Sequence, residues 1–273
     1  MTRLAFSKMH GAGNDFVIVE ASAEFELSGD LARRLSDRHR GVGCDQLMVI
    51  LPSTRGDCAF SYLVYNADGS LAEQCGNGAR CVAAWLARRK DLAIPFSLQS
   101  PSGRVEVTLQ DGQFAVGLGV PEFTPSRIPL TRAAAANYRF NVLNECLLLS
   151  VLGLGNPHAV LQVENVQSVA VGVLGPALER HPDFPERVNV GFSQLIDRQT
   201  IALRVWERGA GETLACGSGA CAAVVAGICM GALEPKVRVR LPGGELCVQW
   251  LGGSSPVTLS GPVAFVYEGV WQA

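Results

Sequence analysis

The chain has 273 residues, of which 48% are hydrophobic and 18% charged, and a formal net charge of −2. That length can bury one large core or two of ordinary size, and the composition excludes a disordered chain. The near-neutral charge gives no basis for nucleic acid or an anionic membrane surface as a partner.

In chain order, the opening MTRLAFSKMHGAGNDF lacks an apolar stretch followed by a small-residue cleavage site, so no secretory signal is expected. Short β-branched and aromatic runs bounded by turn residues predict strands at 16–20, 46–51 and 60–65. Helices are predicted over 30–37 and 78–89. At the end of the second stand Arg88, Arg89 and Lys90, where the helix dipole favours cations. Strands at 104–109 and 114–118 follow. Pro121, Pro125, Pro129 and Ala133 to Ala136 then break the patterning and place a junction within 121–144. Beyond it lie predicted strands at 159–163, 200–206, 237–241 and 257–260, and a helix at 218–230. Residues 214–233 carry no charge over 20 positions, long enough for a membrane span. They are mostly Ala and Gly, however, with Cys216, Ser218, Cys221 and Cys229 among them, so a buried helix and no membrane association are expected.

The nine cysteines are odd in number and never spaced C-x-x-C. A disulfide framework is not expected, and the Cys75/Cys81 and Cys216/Cys221 spacings do not suit a zinc knuckle, so no metal is predicted. Most of these side chains read as small buried hydrophobes.

The chain also repeats itself. QCGNGARC at 74–81 finds ACGSGAC at 215–221, with 216 − 75 = 141. The Gly11-Ala-Gly-Asn14 segment finds Gly153-Leu-Gly-Asn156, with 156 − 14 = 142, and Asn66 finds Glu207, with 207 − 66 = 141. Three landmarks in one order predict two copies of one domain, 1–120 and 121–261. Each is expected to be α+β, a twisted and mostly antiparallel sheet curled around a central helix. The two helix starts are expected to meet at an interdomain cleft.

In each copy a cysteine precedes Gly-x-Gly at a helix start. Such a start exposes N–H groups and a partial positive charge, which can hold a carboxylate and lower a thiol pKa. Glycine lets a ligand approach the backbone. Two thiols flanking one carbon from opposite faces, one removing the α-proton and the other returning one, describe a racemase or epimerase without cofactor. A phosphate loop fits less well, because neither motif continues as G-K-[ST] or matches G-x-G-x-x-G.

These residues resemble the diaminopimelate epimerases. Asn66-Ala-Asp-Gly-Ser-Leu-Ala-Glu-Gln-Cys75-Gly-Asn-Gly-Ala-Arg80 is similar to the family signature, and Phe6 to Phe16, Gly153 to His158 and Glu207 to Cys221 are similar to its other blocks. The resemblance covers the whole chain. It implies interconversion of LL- and meso-diaminopimelate without pyridoxal phosphate, serving lysine and peptidoglycan precursor synthesis in the cytoplasm. Cys75 and Cys216 become the proton acceptor and donor. Gly76, Asn77, Gly217 and Ser218 offer N–H groups to the reacting carboxylate. Asn14, Gln46, Asn66, Asn156, Asn189, Glu207 and Arg208 line the rest, with Arg208 suited to a carboxylate and Glu207 to an ammonium. His158, whose counterpart in the first copy is Phe16, and Glu207 are implied to assist the thiols.

Considered singly, Asn14, Asn66 and Asn189 read equally well as turn residues, whereas for His158 a core histidine is the lesser alternative. His10 reads as structural, and His39 and His181 as surface residues. The resemblance further implies a homodimer, with 262–273 folding back onto the first domain and Tyr267 at the contact. Ser218 stands where many members have Thr, and Cys44 where many have Ala; Cys44 is expected near the site. Rival readings are a proline racemase-like or phenazine-biosynthesis isomerase-like enzyme on the same duplicated fold, and a cysteine-rich metal or redox sensor.

Overall fold

In a computed structural model, the protein is described over residues 3–22 and 28–272. The chain divides into two compact units, Met1–Gly117 with Ser260–Ala273, and Leu118–Leu259.

The first unit runs β1 (Arg3–Gly11), β2 (Asn14–Glu20), α1 (Gly29–Ser36), β3 (Gln46–Pro52), β4 (Phe60–Asn66), β5 (Leu71–Ala72), α2 (Gly76–Arg89), β6 (Phe96–Ser100), β7 (Gly103–Gln110) and β8 (Gln113–Gly117). The second runs β9 (Tyr138–Val142), β10 (Glu145–Gly153), β11 (Pro157–Gln162), α3 (Val171–Glu179), β12 (Asn189–Asp197), β13 (Thr200–Glu207), β14 (Gly211–Thr213), α4 (Gly217–Cys229), β15 (Lys236–Leu241) and β16 (Gly244–Gln249). Then come β17 (Thr258–Ser260) and β18 (Ala264–Gln272), the latter belonging to the first unit.

Strand pairing in the first unit runs β18–β1–β2–β3–β4–β6–β7–β8, with β5 beside β4. In the second it runs β9–β10–β11–β12–β13–β15–β16, with β14 beside β13. Parallel pairs are β2/β3 and β4/β6 in one unit, β11/β12 and β13/β15 in the other. The other pairings in these two series are antiparallel, so both units are the α+β architecture expected from the repeat. Corresponding elements keep the offset: β10 follows β1 by 145 − 3 = 142 and α4 follows α2 by 217 − 76 = 141.

The central strands β2 and β3 are buried on both faces. In the first unit, Val17, Val19, Leu47 and Val49 pack with Ala32 and Leu35 of α1. Phe16 and Met48, one residue out of phase, point at α2 on the other face. Strands covered on both sides read as continuous apolar runs, which is why β2 and β3 show no alternation. α2 is buried from Gly76 through Leu86 and packs against β1, β2, β3 and β8. Burial of Val82 and of Leu86 each contributes about 1.5–3 kcal/mol. α4 is apolar on every side and lies against β10, β11, β12, β13 and β16. Among the described residues, no helix is long and apolar enough to cross a membrane.

Candidate active site

Cys75 and Cys216 occupy the same structural position. Each is the N-cap of its unit's central helix in an extended conformation, φ −144° and ψ 105° for Cys75, φ −112° and ψ 112° for Cys216. Each Sγ accepts from the third helical N–H, Gly78 N at 3.3 Å and Gly219 N at 3.3 Å. A side-chain acceptor at this position satisfies one of the unpaired donors of the first turn. The first two helical N–H groups belong to Gly76 and Asn77 in one unit and to Gly217 and Ser218 in the other. The glycines keep the first turns tight: a Cβ on Gly78 would lie 2.7 Å from Met48 Sδ, and one on Gly219 would lie 3.2 Å from Cys216 Sγ.

Around Cys75, the first unit gathers amides. Asn14 Oδ1 stands 3.8 Å from Cys75 Sγ and 3.4 Å from Asn77 Nδ2. Gln46 Nε2 donates to Asn66 Oδ1 at 2.9 Å, and Asn66 Nδ2 to Ser70 Oγ at 3.1 Å. Phe16, Gln46 and Asn66 are register partners across β2, β3 and β4, so they line one level of the sheet.

The second unit repeats that level with different chemistry. His158 pairs with Asn189 across β11 and β12, and Glu207 ends β13 one position beyond the Val190–Trp206 pair. His158 is buried, and its pKa is pushed down to about 3 by that burial and by the Arg208 charge. The ring is therefore neutral, and Nε2 faces Asn156 Oδ1 at 2.8 Å. Because that oxygen only accepts, the proton sits on Nε2 and Nδ1 carries the lone pair. Asn189 donates Nδ2 to Pro157 O at 3.0 Å and accepts from Arg208 N at 2.9 Å. The Arg208 guanidinium donates to Glu186 O at 3.2 Å, and Thr213 Oγ1 donates to Glu207. Burial raises the Cys216 thiol pKa well above its usual value, and the Glu207 carboxylate raises it further. Ser218 Oγ lies 3.6 Å from Cys216 Sγ.

The model of the family described as diaminopimelate epimerase matches residues 6–124 and 150–266. The chain belongs to the diaminopimelate epimerase family. Proteins named diaminopimelate epimerase from Ectopseudomonas mendocina and Azotobacter vinelandii are each 48% identical over 270 residues, spanning 97% of this chain and 98% of theirs. The fold is similar to a hydroxyproline epimerase of Agrobacterium vitis, TM-score 0.72 at 14% identity, over 98% of this chain and 92% of that one. A PhzF-family phenazine biosynthesis protein of Bacillus anthracis is similar at TM-score 0.70 and 13% identity, over 100% of both chains. At those identities the likeness shows the fold alone.

This epimerase also contains supporting residues that its sequence did not announce. Glu179, at the end of α3 and only 3% exposed, accepts from Trp206 Nε1 at 2.7 Å and from Gly209 N at 3.0 Å. It thereby grips both flanks of the Glu207–Arg208 pair. Asp45 accepts from Asn14 Nδ2 at 3.0 Å, and buried Arg80 donates to Asn77 Oδ1 at 3.0 Å. The sequence shows Glu179 and Asp45 only as acidic residues near predicted elements. Cys44 is buried in the cluster under α1, with Sγ 3.4 Å from Ser36 Oγ. One sequence expectation needs correcting. His181 is no surface residue: its ring packs edge-on to Phe140 at 5.0 Å, and its Nδ1 accepts from Asp183 N at 3.2 Å. Among the described residues, no three His, Cys, Asp or Glu side chains are grouped to hold a metal.

Proposed function

We propose that this epimerase interconverts LL- and meso-diaminopimelate without cofactor, with Cys75 and Cys216 as its two bases. The observation that carries this reading is the pair of N-cap cysteines at repeat-equivalent positions, each 3.3 Å from the third N–H of its helix. One sulfur, as thiolate, takes the α-proton and becomes a thiol. The other, a thiol, gives its proton to the opposite face of the same carbon and becomes a thiolate. The N–H groups of Gly76, Asn77, Gly217 and Ser218 hold the adjacent carboxylate and stabilise its enolate-like charge as the proton leaves. Glu207 and neutral His158 tune the ionisation of the thiols. Asn14, Gln46, Asn66, Asn156, Asn189 and Arg208 bind the remaining ammonium and carboxylate groups and fix the stereocentre that does not react.

The same reading places the enzyme in the cytoplasm as a homodimer. The dimer contact is assigned to β18, where Val266, Tyr267 and Val270 are all about half exposed. Apolar side chains gathered on one exposed strand suit a second copy.

Incubation of LL-diaminopimelate with the enzyme in D₂O under reducing conditions tests the reaction. Deuterium is expected at one α-carbon only. No incorporation, or incorporation at both centres, would refute it. Cys75→Ala and Cys216→Ala should each abolish inversion, whereas Cys229→Ala, on an exposed thiol at the far end of α4, should leave it intact.

A further inference from the structure

We infer that Asp45 is a positioning residue: together with Arg80 it ends a chain of amides that holds the Asn14 carbonyl toward Cys75. The chain runs in one direction. Arg80 Nη2 donates to Asn77 Oδ1 at 3.0 Å, Asn77 Nδ2 donates to Asn14 Oδ1 at 3.4 Å, and Asn14 Nδ2 donates to Asp45 Oδ2 at 3.0 Å. A guanidinium can only donate and a carboxylate can only accept, so the two ends fix the sense of both amides between them. Turning the Asn14 amide over would set its oxygen against the Asp45 carboxylate and its NH₂ against the NH₂ of Asn77.

Asp45 is itself firmly held. Its Oδ1 accepts from Arg38 Nη2 at 2.8 Å, and its Oδ2 also accepts from Asp15 N at 3.0 Å. Arg38 additionally makes a two-point pair with Asp15, at 2.7 and 3.1 Å. The product of this arrangement is polarity at one spot. Asn14 Oδ1, 3.8 Å from Cys75 Sγ, is an acceptor. Resting on the proposal that Cys75 exchanges a proton with the α-carbon, an acceptor beside that sulfur receives the α-ammonium of a substrate whose carboxylate lies on the α2 N–H groups. A donor at the same spot would repel that ammonium. Asp45 thus acts through Asn14 without touching the substrate.

Steady-state kinetics of wild type, D45A, D45N, N14A and the D45A/N14A double variant test this. D45A should lower kcat/KM roughly 10- to 100-fold, the loss of one charge-assisted hydrogen bond. D45N, which keeps an acceptor for Asn14 Nδ2, should recover most of that loss. In the N14A background, adding D45A should change kcat/KM by no more than about two-fold, because the hydrogen bond through which it acts is gone. Asp45 is half exposed and Arg38 keeps its pair with Asp15, so D45A should melt close to wild type. Wild-type turnover by D45A or by N14A, or an equal D45A loss in both backgrounds, would overturn the assignment. Retained inversion by C75A would instead remove the proposed reaction, so the two failures are separable.

Discussion

Glu207 makes the two cysteines chemically unlike. The first unit has an uncharged Asn66 at the corresponding place, whereas the second sets a carboxylate beside a thiol that burial already holds protonated. A negative neighbour disfavours the thiolate, so removing it must lower the Cys216 pKa and leave the burial contribution in place. In E207Q, peptide-resolved alkylation of Cys216 should therefore reach half its maximal rate at lower pH than in wild type. Epimerisation should fall as well, because the thiol that must give up a proton no longer holds it as firmly. An alkylation profile that stays put, or moves to higher pH, would remove Glu207 from the control of this thiol. At this scale the cysteines were legible because each names the other through the 141-residue offset. Asp45, Arg80 and Glu179 were not. Asp45 meets Asn14 from 31 residues away, Glu179 meets Trp206 and Gly209 from 27 and 30 away, and Arg80 acts through the orientation of the Asn77 amide, so no local motif records their roles.

At the scale of elements, the central helices and most of the strands flanking them were readable from β-branched runs and from glycines after the motif cysteines. Helix α3 was not. Its sequence VGVLGPALE carries two glycines and an internal proline, and no side chain caps its start, so helix propensity argues against it. The repeat itself was the missed signal, since α1 displaced by 171 − 29 = 142 falls on α3. Tertiary packing outweighs the propensity here. Gly175 lies flat against Trp206, where a Cβ would come within 2.6 Å of the indole, and Glu179 then closes on Trp206 and Gly209. Glu179→Ala would leave two donors without their carboxylate, and should cost about 1.5–3 kcal/mol in urea unfolding. It should also raise KM more than it lowers kcat, because the turn bearing Arg208 loses its anchor. Glu179→Gln retains one acceptor oxygen and should recover part of both effects. A stability loss with unchanged KM would make Glu179 a purely structural support.

At the scale of the molecule, the chain leaves its first unit after Gly117 and returns to it at Ser260. The return is made by β18, which pairs with β1 from Arg3↔Gln272 to His10↔Ala264. Side chains fasten the same strand: Arg89 to Glu268, Arg88 over Phe265 at 4.5 Å, Arg34 over Trp271 at 5.2 Å, and Phe6 against Tyr267 at 5.8 Å. Every one of these partners lies in the first unit, and two of them extend from the last turn of α2, the helix that begins at Cys75. A chain ending at Gly261 would leave the β1 backbone without these hydrogen bonds and uncover the apolar residues they shelter, in a domain whose net stability is only about 5–15 kcal/mol. Native-state hydrogen exchange on that truncated chain should show lost protection in α2 and β1 to β3, while α4 and β10 to β12 remain protected. Inversion should be lost with it, because the N-cap geometry at Cys75 depends on an ordered α2. Equal loss of protection in both units would mean that they unfold as one, and full protection in α2 would mean that β18 is dispensable for the fold of the first.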